Sequence, residues 1–285
     1  HTVEVPIGLD FAADFRDMFE VRGARRQRRG QTTGPELGDA CVRFRYDGLD
    51  GETRTCVVKF SDPPTTLTEG GANFNISLAP DARRTLYVEV AAVDGEPPSE
   101  SRFRAAAARA RFAMRARRRK GARLSTNGRL FNAWIDKSAA DLALLTTPLS
   151  SGPYPYAGIP WFSTTFGRGG IITAWQILWF DPSLARGVLR FLAQTQAREA
   201  SAFRDSESGK IMHESRSGEM AALGEVPFGR YYGGVDTTPL FVALAGAYAD
   251  RTGDLLLVEE LWPALERAAH WIVETSERHP LGLIA

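Results

Sequence analysis

Short β-rich runs fill the first hundred residues, and apolar residues recur at helical spacing beyond residue 127. Cys41 to Tyr46 (CVRFRY) and Thr53 to Phe60 (TRTCVVKF) flank the turn-rich Asp47-Gly48-Leu49-Asp50-Gly51, which predicts a β-hairpin. Ala72 to Leu78 and Thr85 to Ala91 read as further strands, punctuated by prolines at 63, 64, 80, 97 and 98. A β-sandwich over 1–100 follows from that pattern. Beyond it, Phe131, Trp134, Ile135, Ser138, Leu142 and Leu145 fall three and four apart until Pro148 stops the run. Asp181-Pro182 predicts a helix start, an N-cap followed by proline in the first turn, with the helix running to about Gln196. Thr238-Pro239 opens another, closed near Gly253, and Pro263 restarts one that carries Leu265, Ala268, Ala269, Ile272 and Val273. With the run from about Gly170 to Phe180, that makes about five helices over 127–285.

Composition narrows the class. At 285 residues and 44% hydrophobic, the chain is long enough for two domains. Lys plus Arg number 35 against 34 Asp plus Glu, so a chain-wide affinity for nucleic acid or membrane is not expected. No apolar run reaches the roughly 18 to 20 residues of a membrane helix. The chain starts at His1 with no signal peptide, and a cytoplasmic location is expected. Cys41 and Cys56 are nearly equidistant from the hairpin turn, so a cross-strand disulfide is conceivable, but two free thiols are the preferred reading. Charge is uneven in one place. Ten of the residues from Arg102 to Arg123 are Arg or Lys, among many alanines. A solvated connector helix over 101–126 is the preferred reading; contact with an anionic polymer is the alternative.

Two loops carry the candidate chemistry: Tyr154 to Arg168 (YPYAGIPWFSTTFGR), and Lys210 to Asp236, which contains KIMHESRSGEM and EVPFGRYYGGVD. Aromatic rings, arginines and carboxylates recur in them without metal-ligand spacing, since His213 has no second His at i+4 and no Cys lies nearby. No P-loop, dinucleotide fingerprint or Gly-x-Ser-x-Gly is present, and neither metal nor cofactor is expected. Sugars suit this mixture: their C–H faces stack on Trp and Tyr, and their hydroxyls pair with Arg, Asp and Glu. Breaking a glycosidic bond then takes two carboxyl groups, one to protonate the leaving oxygen and one to activate water or attack.

On FNAWIDKSAADLALLTT (131–147), YPYAGIPWFSTTFGR (154–168), KIMHESRSGEM (210–220), EVPFGRYYGGVDTTPLFVALAGAY (225–248) and RTGD (251–254), the chain resembles the bacterial and archaeal glycogen-debranching, amylo-α-1,6-glucosidase-like proteins. These belong to the six-hairpin glycosidase superfamily. The resemblance covers about 127–285 and, more weakly, the β-region before it. It implies an N-terminal β-sandwich followed by an all-α (α/α)6 toroid. It also implies a glycoside hydrolase acting on α-glucosidic linkages of glycogen, maltodextrin or related α-glucans, with inversion. Asp236 would be the general acid, Arg168 a ligand of the terminal sugar's hydroxyls and Trp161 a stacking floor. Glu214, Glu225, Arg230, Tyr231 and Tyr232 would line the pocket. Tyr231 serving only in packing, and Glu219 pairing with Arg216, are the bland readings of those residues.

Two departures from the family pattern stand out. Gly169 replaces the Asp that usually follows Phe-Gly-Arg. Twelve helices of about 11 residues with loops of about 5 need roughly 190 residues, whereas 159 follow residue 126. The toroid is therefore expected in its first half only, the second carboxylate beyond residue 285, and this chain alone inactive. Asp236 also stands where a helix begins, which favours an ionised carboxylate. A general acid needs a proton, so burial under Trp and Tyr together with a neighbouring carboxylate such as Glu225 would have to compensate. Competing readings are another six-hairpin hydrolase, acting on mannosylglycerate or a disaccharide, and a non-catalytic carbohydrate-binding fragment. The expected partner is an oligo- or polysaccharide, with no membrane and no nucleic acid.

Overall fold

The computed structural model describes residues 1–284. They form two compact units, His1–Arg111 and Phe112–Ala285. The division falls within a helix rather than at residue 100 or 126.

The first unit is built from β1 (Val3–Asp10), the single-turn helix α1 (Met18–Val21), β2 (Gln31–Gly38), β3 (Cys41–Asp47), β4 (Thr53–Phe60), β5 (Thr66–Leu67), β6 (Gly71–Leu78) and β7 (Val88–Ala91). The strands make two antiparallel sheets, in the orders β1-β6-β5 and β2-β3-β4-β7. Alternation sets what is buried. Val42, Phe44 and Tyr46 of β3 turn inward while Arg43 and Arg45 turn outward. Val42, Phe44, Val58 and Phe60 meet Ala72 and Phe74 of the other sheet, so the two sheets pack face to face as the expected sandwich. Phe60 is 1% exposed and its ring lies 5.4 Å from that of Phe74. Truncating such a ring to Ala costs about 3–5 kcal/mol.

The predicted β3–β4 hairpin is present, but Cys41 pairs with Lys59 and Phe44 with Cys56. The two cysteines are thus three rungs apart on opposite faces, and both thiols are free. Strands β1 and β2 were not predicted. They contain Pro6, Gly8, Gly34 and Pro35, which mask the alternation, and most of their residues stay exposed.

Helix α2 (Glu100–Arg118) buries none of its residues. The second unit continues with α3 (Arg129–Leu145), the hairpin β8 (Thr146–Leu149) and β9 (Gly152–Pro155), β10 (Thr165–Phe166), α4 (Gly167–Gln176), α5 (Pro182–Gln194), β11 (Glu214–Ser215), the short α6 (Glu219–Ala222), α7 (Thr237–Thr252) and α8 (Leu255–Arg278). Asp181 caps α5 by accepting from the Ser183 N–H at 3.0 Å, as its Asp-Pro start predicts.

Helix α8 starts at Leu255 rather than Pro263, which lies inside it. Asp254 caps it by accepting from the Leu257 N–H, and Leu257, Leu261, Ala264, Leu265, Ala268 and Trp271 run as one buried stripe past the proline. Continuous burial of that stripe outweighs the one missing N–H bond. The core joins α4, α5, α7 and α8 through Ile171, Leu189, Leu192, Phe241, Leu244 and Leu261.

Helix α3 departs from its expected role. Of its residues only Ala143 is buried, and Phe131 and Trp134 are 52% and 62% exposed, stacked on each other at 5.5 Å. Its apolar spacing made a correct helix, not a buried face. No described helix is long and apolar enough to cross a membrane. The architecture is therefore a β-sandwich unit and a helical unit.

Candidate active site

The site grows from backbone pairing between segments far apart in sequence. Strand β10 pairs with β11, Thr165 opposite Ser215 and Phe166 opposite Glu214. Helix α4 starts directly after β10, so Arg168 occupies its first turn. The Gly167 N–H donates to the His213 carbonyl at 2.7 Å. On the other side of β11, the His213 N–H donates to the Tyr231 carbonyl at 2.7 Å, and the Tyr231 N–H donates to the Glu214 carbonyl at 2.9 Å. From Tyr231 the chain needs only a few residues to reach Asp236 at the start of α7. The Thr238 hydroxyl accepts from the Ile211 N–H at 2.9 Å and ties that start to the same segment.

These bonds bring Arg168 and Asp236 together, 68 residues apart, with the Arg168 Nη1 donating to the Asp236 Oδ2 at 3.3 Å. Their side chains are 53% and 40% exposed. Asp236 is the N-cap residue of α7 by position, yet its side chain makes no capping bond and turns to Arg168 instead. The aromatic burial expected around this carboxyl is absent; its neighbour is a guanidinium.

Beside this exposed pair lies a buried one. Arg216 donates to the Glu214 carboxylate at 3.3 Å, each side chain only 8% exposed. The same guanidinium lies 4.2 Å from the centre of the Trp161 ring and 5.6 Å from that of Phe166, and it donates to the Trp161 carbonyl at 2.9 Å. One face of Trp161 is thus taken by Arg216, a cation–π contact that fixes the ring. Arg216 therefore binds Glu214, two residues away on an extended segment, where alternate side chains share a face. Glu219, the other carboxylate the sequence offers Arg216, is also buried, at the start of α6.

His213 sits among these groups, its ring edge-on to Phe166 and Tyr231 at 6.1 and 6.2 Å. Burial pushes its pKa down, Arg168 acts in the same direction, and the Glu214 and Asp236 carboxylates pull it back up. The His213 Nδ1 and the Thr237 hydroxyl are buried and make no hydrogen bond among the described residues. Both face the bare α-carbon of Gly234, where a Cβ would lie 2.8 Å from the first and 2.6 Å from the second.

The remaining expected site residues scatter. Tyr232 is not pocket lining: it is 3% exposed in the helical core, and its hydroxyl donates to the Thr195 carbonyl at 2.7 Å. Tyr231 packs its ring between His213 and Phe228, in line with the packing reading. Glu225 and Arg230 are exposed on either side of a 3-10 turn at Pro227–Gly229, and Arg230 makes no hydrogen bond or ion pair among the described residues. No sequence motif assigns a role to His213 or to the Arg216–Trp161 stack. The alternation Met212, Glu214, Arg216 was the one available signal for the latter.

The arrangement offers an accessible carboxylate and guanidinium side by side, suited to neighbouring hydroxyls of a polyol. Among the described residues no three His, Cys, Asp or Glu side chains converge as metal ligands. A family model for the N-terminal domain of (some) glycogen debranching enzymes matches residues 1–89, and no curated protein matches the chain. The sandwich unit is therefore similar to the N-terminal domain of glycogen debranching enzymes, and the residues around Asp236 lie outside that match.

Proposed function

We propose that this chain is the sandwich and first helical part of a glycoside hydrolase acting on α-glucosidic linkages of glycogen, maltodextrin or a related α-glucan. The observation that carries the proposal is the Arg168–Asp236 pair, accessible at the starts of two packed helices. The similarity of residues 1–89 to a debranching-enzyme domain supports the substrate class. In this reading Arg168 donates to two hydroxyls of the terminal glucose and draws away from Asp236 as the sugar enters. Asp236 then gives its proton to the departing glycosidic oxygen. Trp161, held from one side by Arg216, places its other face under the sugar's C–H surface. Glu214 is committed to Arg216 and supports Trp161 rather than activating water. The water-activating carboxylate of an inverting enzyme is then supplied from beyond these residues.

The test is glucose release from maltodextrin and a limit dextrin by the full-length polypeptide, wild type against Asp236→Asn. General-acid loss lowers kcat by at least about 10²-fold. It spares glucosyl fluoride, whose leaving group needs no proton. Equal loss on both substrates would place the acid elsewhere. Sugar binding by wild-type chain without any turnover in the full-length polypeptide would favour a carbohydrate-binding role.

A further inference from the structure

A concavity elsewhere in the helical unit has chemistry unrelated to the aromatic loops. It is a cleft of about 460 Å³ between the end of α2, the turn that follows and α3. Arg115, Arg118, Arg119 and Arg123 line it, with Asp136 as its single acidic residue. Arg118 donates to Asp136 at 2.7 Å and is neutralised by it. Arg115, Arg119 and Arg123 make no side-chain hydrogen bond or ion pair among the described residues. The cleft therefore holds three uncompensated guanidiniums.

Helix polarity explains only part of this cluster. The C-terminal end of a helix attracts cations, which accounts for Arg115 and Arg118 in the last turn of α2. Arg119 and Arg123 lie past the helix end, on a turn that is pinned. The Ala122 N–H donates to the Phe180 carbonyl at 2.8 Å. The α-carbon of Gly121 presses on the Phe180 ring so closely that a Cβ there would lie 2.5 Å from Cε1. Arg117 is drawn out of the cluster by the carbonyls of Thr146 and Ala143. Four arginines are thus set around one hollow by fixed backbone, where a solvated connector would splay them.

We propose that this cleft binds the diphosphate group of a small phosphorylated ligand. Three free guanidiniums match the roughly three negative charges of a terminal diphosphate at neutral pH. Guanidinium forks suit phosphate oxygens bidentately. The volume lies in the range of small-molecule pockets, about 300–1,000 Å³. Leu124, Ile135 and Phe180 give the remainder of the ligand an apolar wall. A nucleic-acid strand would need a row of stacking rings along a groove, and this cleft offers Phe180 alone.

Titration calorimetry of the chain with inorganic phosphate, pyrophosphate, ADP and heparin tests the site. Pyrophosphate and ADP should each saturate one site, at least about 10-fold more tightly than phosphate, since a second phosphate adds charged hydrogen bonds. ADP tighter than pyrophosphate identifies a nucleotide; equal affinity identifies the bare diphosphate, and both uphold the site. Arg119→Ser/Arg123→Ser should weaken pyrophosphate at least about 10-fold, with an unchanged melting temperature because neither side chain has a partner among the described residues. Arg109→Ser/Arg111→Ser removes equal charge from residues that do not line the cleft, and should change affinity less than about 3-fold. Equal loss in both double variants, equal affinity for phosphate and pyrophosphate, absence of saturation, or binding of heparin alone would each overturn the proposal.

Discussion

Removing the Arg216 guanidinium is the sharpest perturbation of the candidate site, because it strands a buried charge. Glu214 is 6% exposed, and Arg216 is its ion-pair partner at 3.3 Å. Breaking a buried pair by deleting one member costs about 3–5 kcal/mol, since the remaining charge stays desolvated. Loss of the contact with Trp161 at 4.2 Å adds about 0.5–2 kcal/mol. Taking the pair alone, Arg216→Met should lower the melting temperature by about 6–20 °C, at about 2–4 °C per kcal/mol for a unit of this size. All six tryptophans lie in the helical unit, so intrinsic fluorescence reports its unfolding separately from the sandwich. The decisive measurement is the double-mutant cycle with Glu214→Gln. If burial without a partner is what hurts, the double variant recovers about 2 kcal/mol or more of the sum of the single losses. Additive losses, or a single-variant cost below about 1 kcal/mol, would refute the reasoning and return Arg216 to the class of surface pairs.

Adjacent glycines of α4 should respond in opposite ways. A Cβ on Gly169 meets only the Phe166 Cβ at 3.6 Å, so Gly169→Asp should fold with little change in stability; titration with maltose then shows whether a carboxylate beside Arg168 tightens sugar binding, as the proposed site requires. A Cβ on Gly170 would lie 2.6 Å from the Tyr154 hydroxyl, which already donates to the Phe166 carbonyl at 2.9 Å, so Gly170→Ala should cost about 1–3 kcal/mol by overpacking in a denaturant titration. His213 makes stability depend on acid. Its folded pKa is held below its unfolded value, so its contribution is full above the unfolded pKa and is lost as pH falls through the folded one. The drop in melting temperature between pH 7.5 and 5 should therefore be smaller in His213→Gln than in wild type, and an identical drop would remove His213 from the account.

Local chemistry alone fixed much of the framework. Strands β3, β4 and β6, the start of α5 at Asp181-Pro182, the stop of α7 at Gly253 and the exposed course of α2 follow from alternation, caps and helix formers, which act within a few residues. Gly253 takes φ 67°, the left-handed conformation that ends helices at glycine. Tertiary structure decided what periodicity leaves open. The spacing in α3 specified a helix but not whether a neighbour covers Phe131 and Trp134, and burial depends on that neighbour. The run after Pro263 showed half of α8, because the proline's missing N–H is a local cost and the buried stripe beneath it a non-local gain. At the site, Asp236 and Arg168 were marked by the family resemblance, yet their pairing arises from strand bonds joining Phe166, Glu214 and Tyr231. Tyr231 and Tyr232 look alike in sequence, but the extended backbone points them in opposite directions, one to His213 and one into the core. Which of two neighbours faces a site is a property of the surface each is packed against, and only the folded chain supplies that surface.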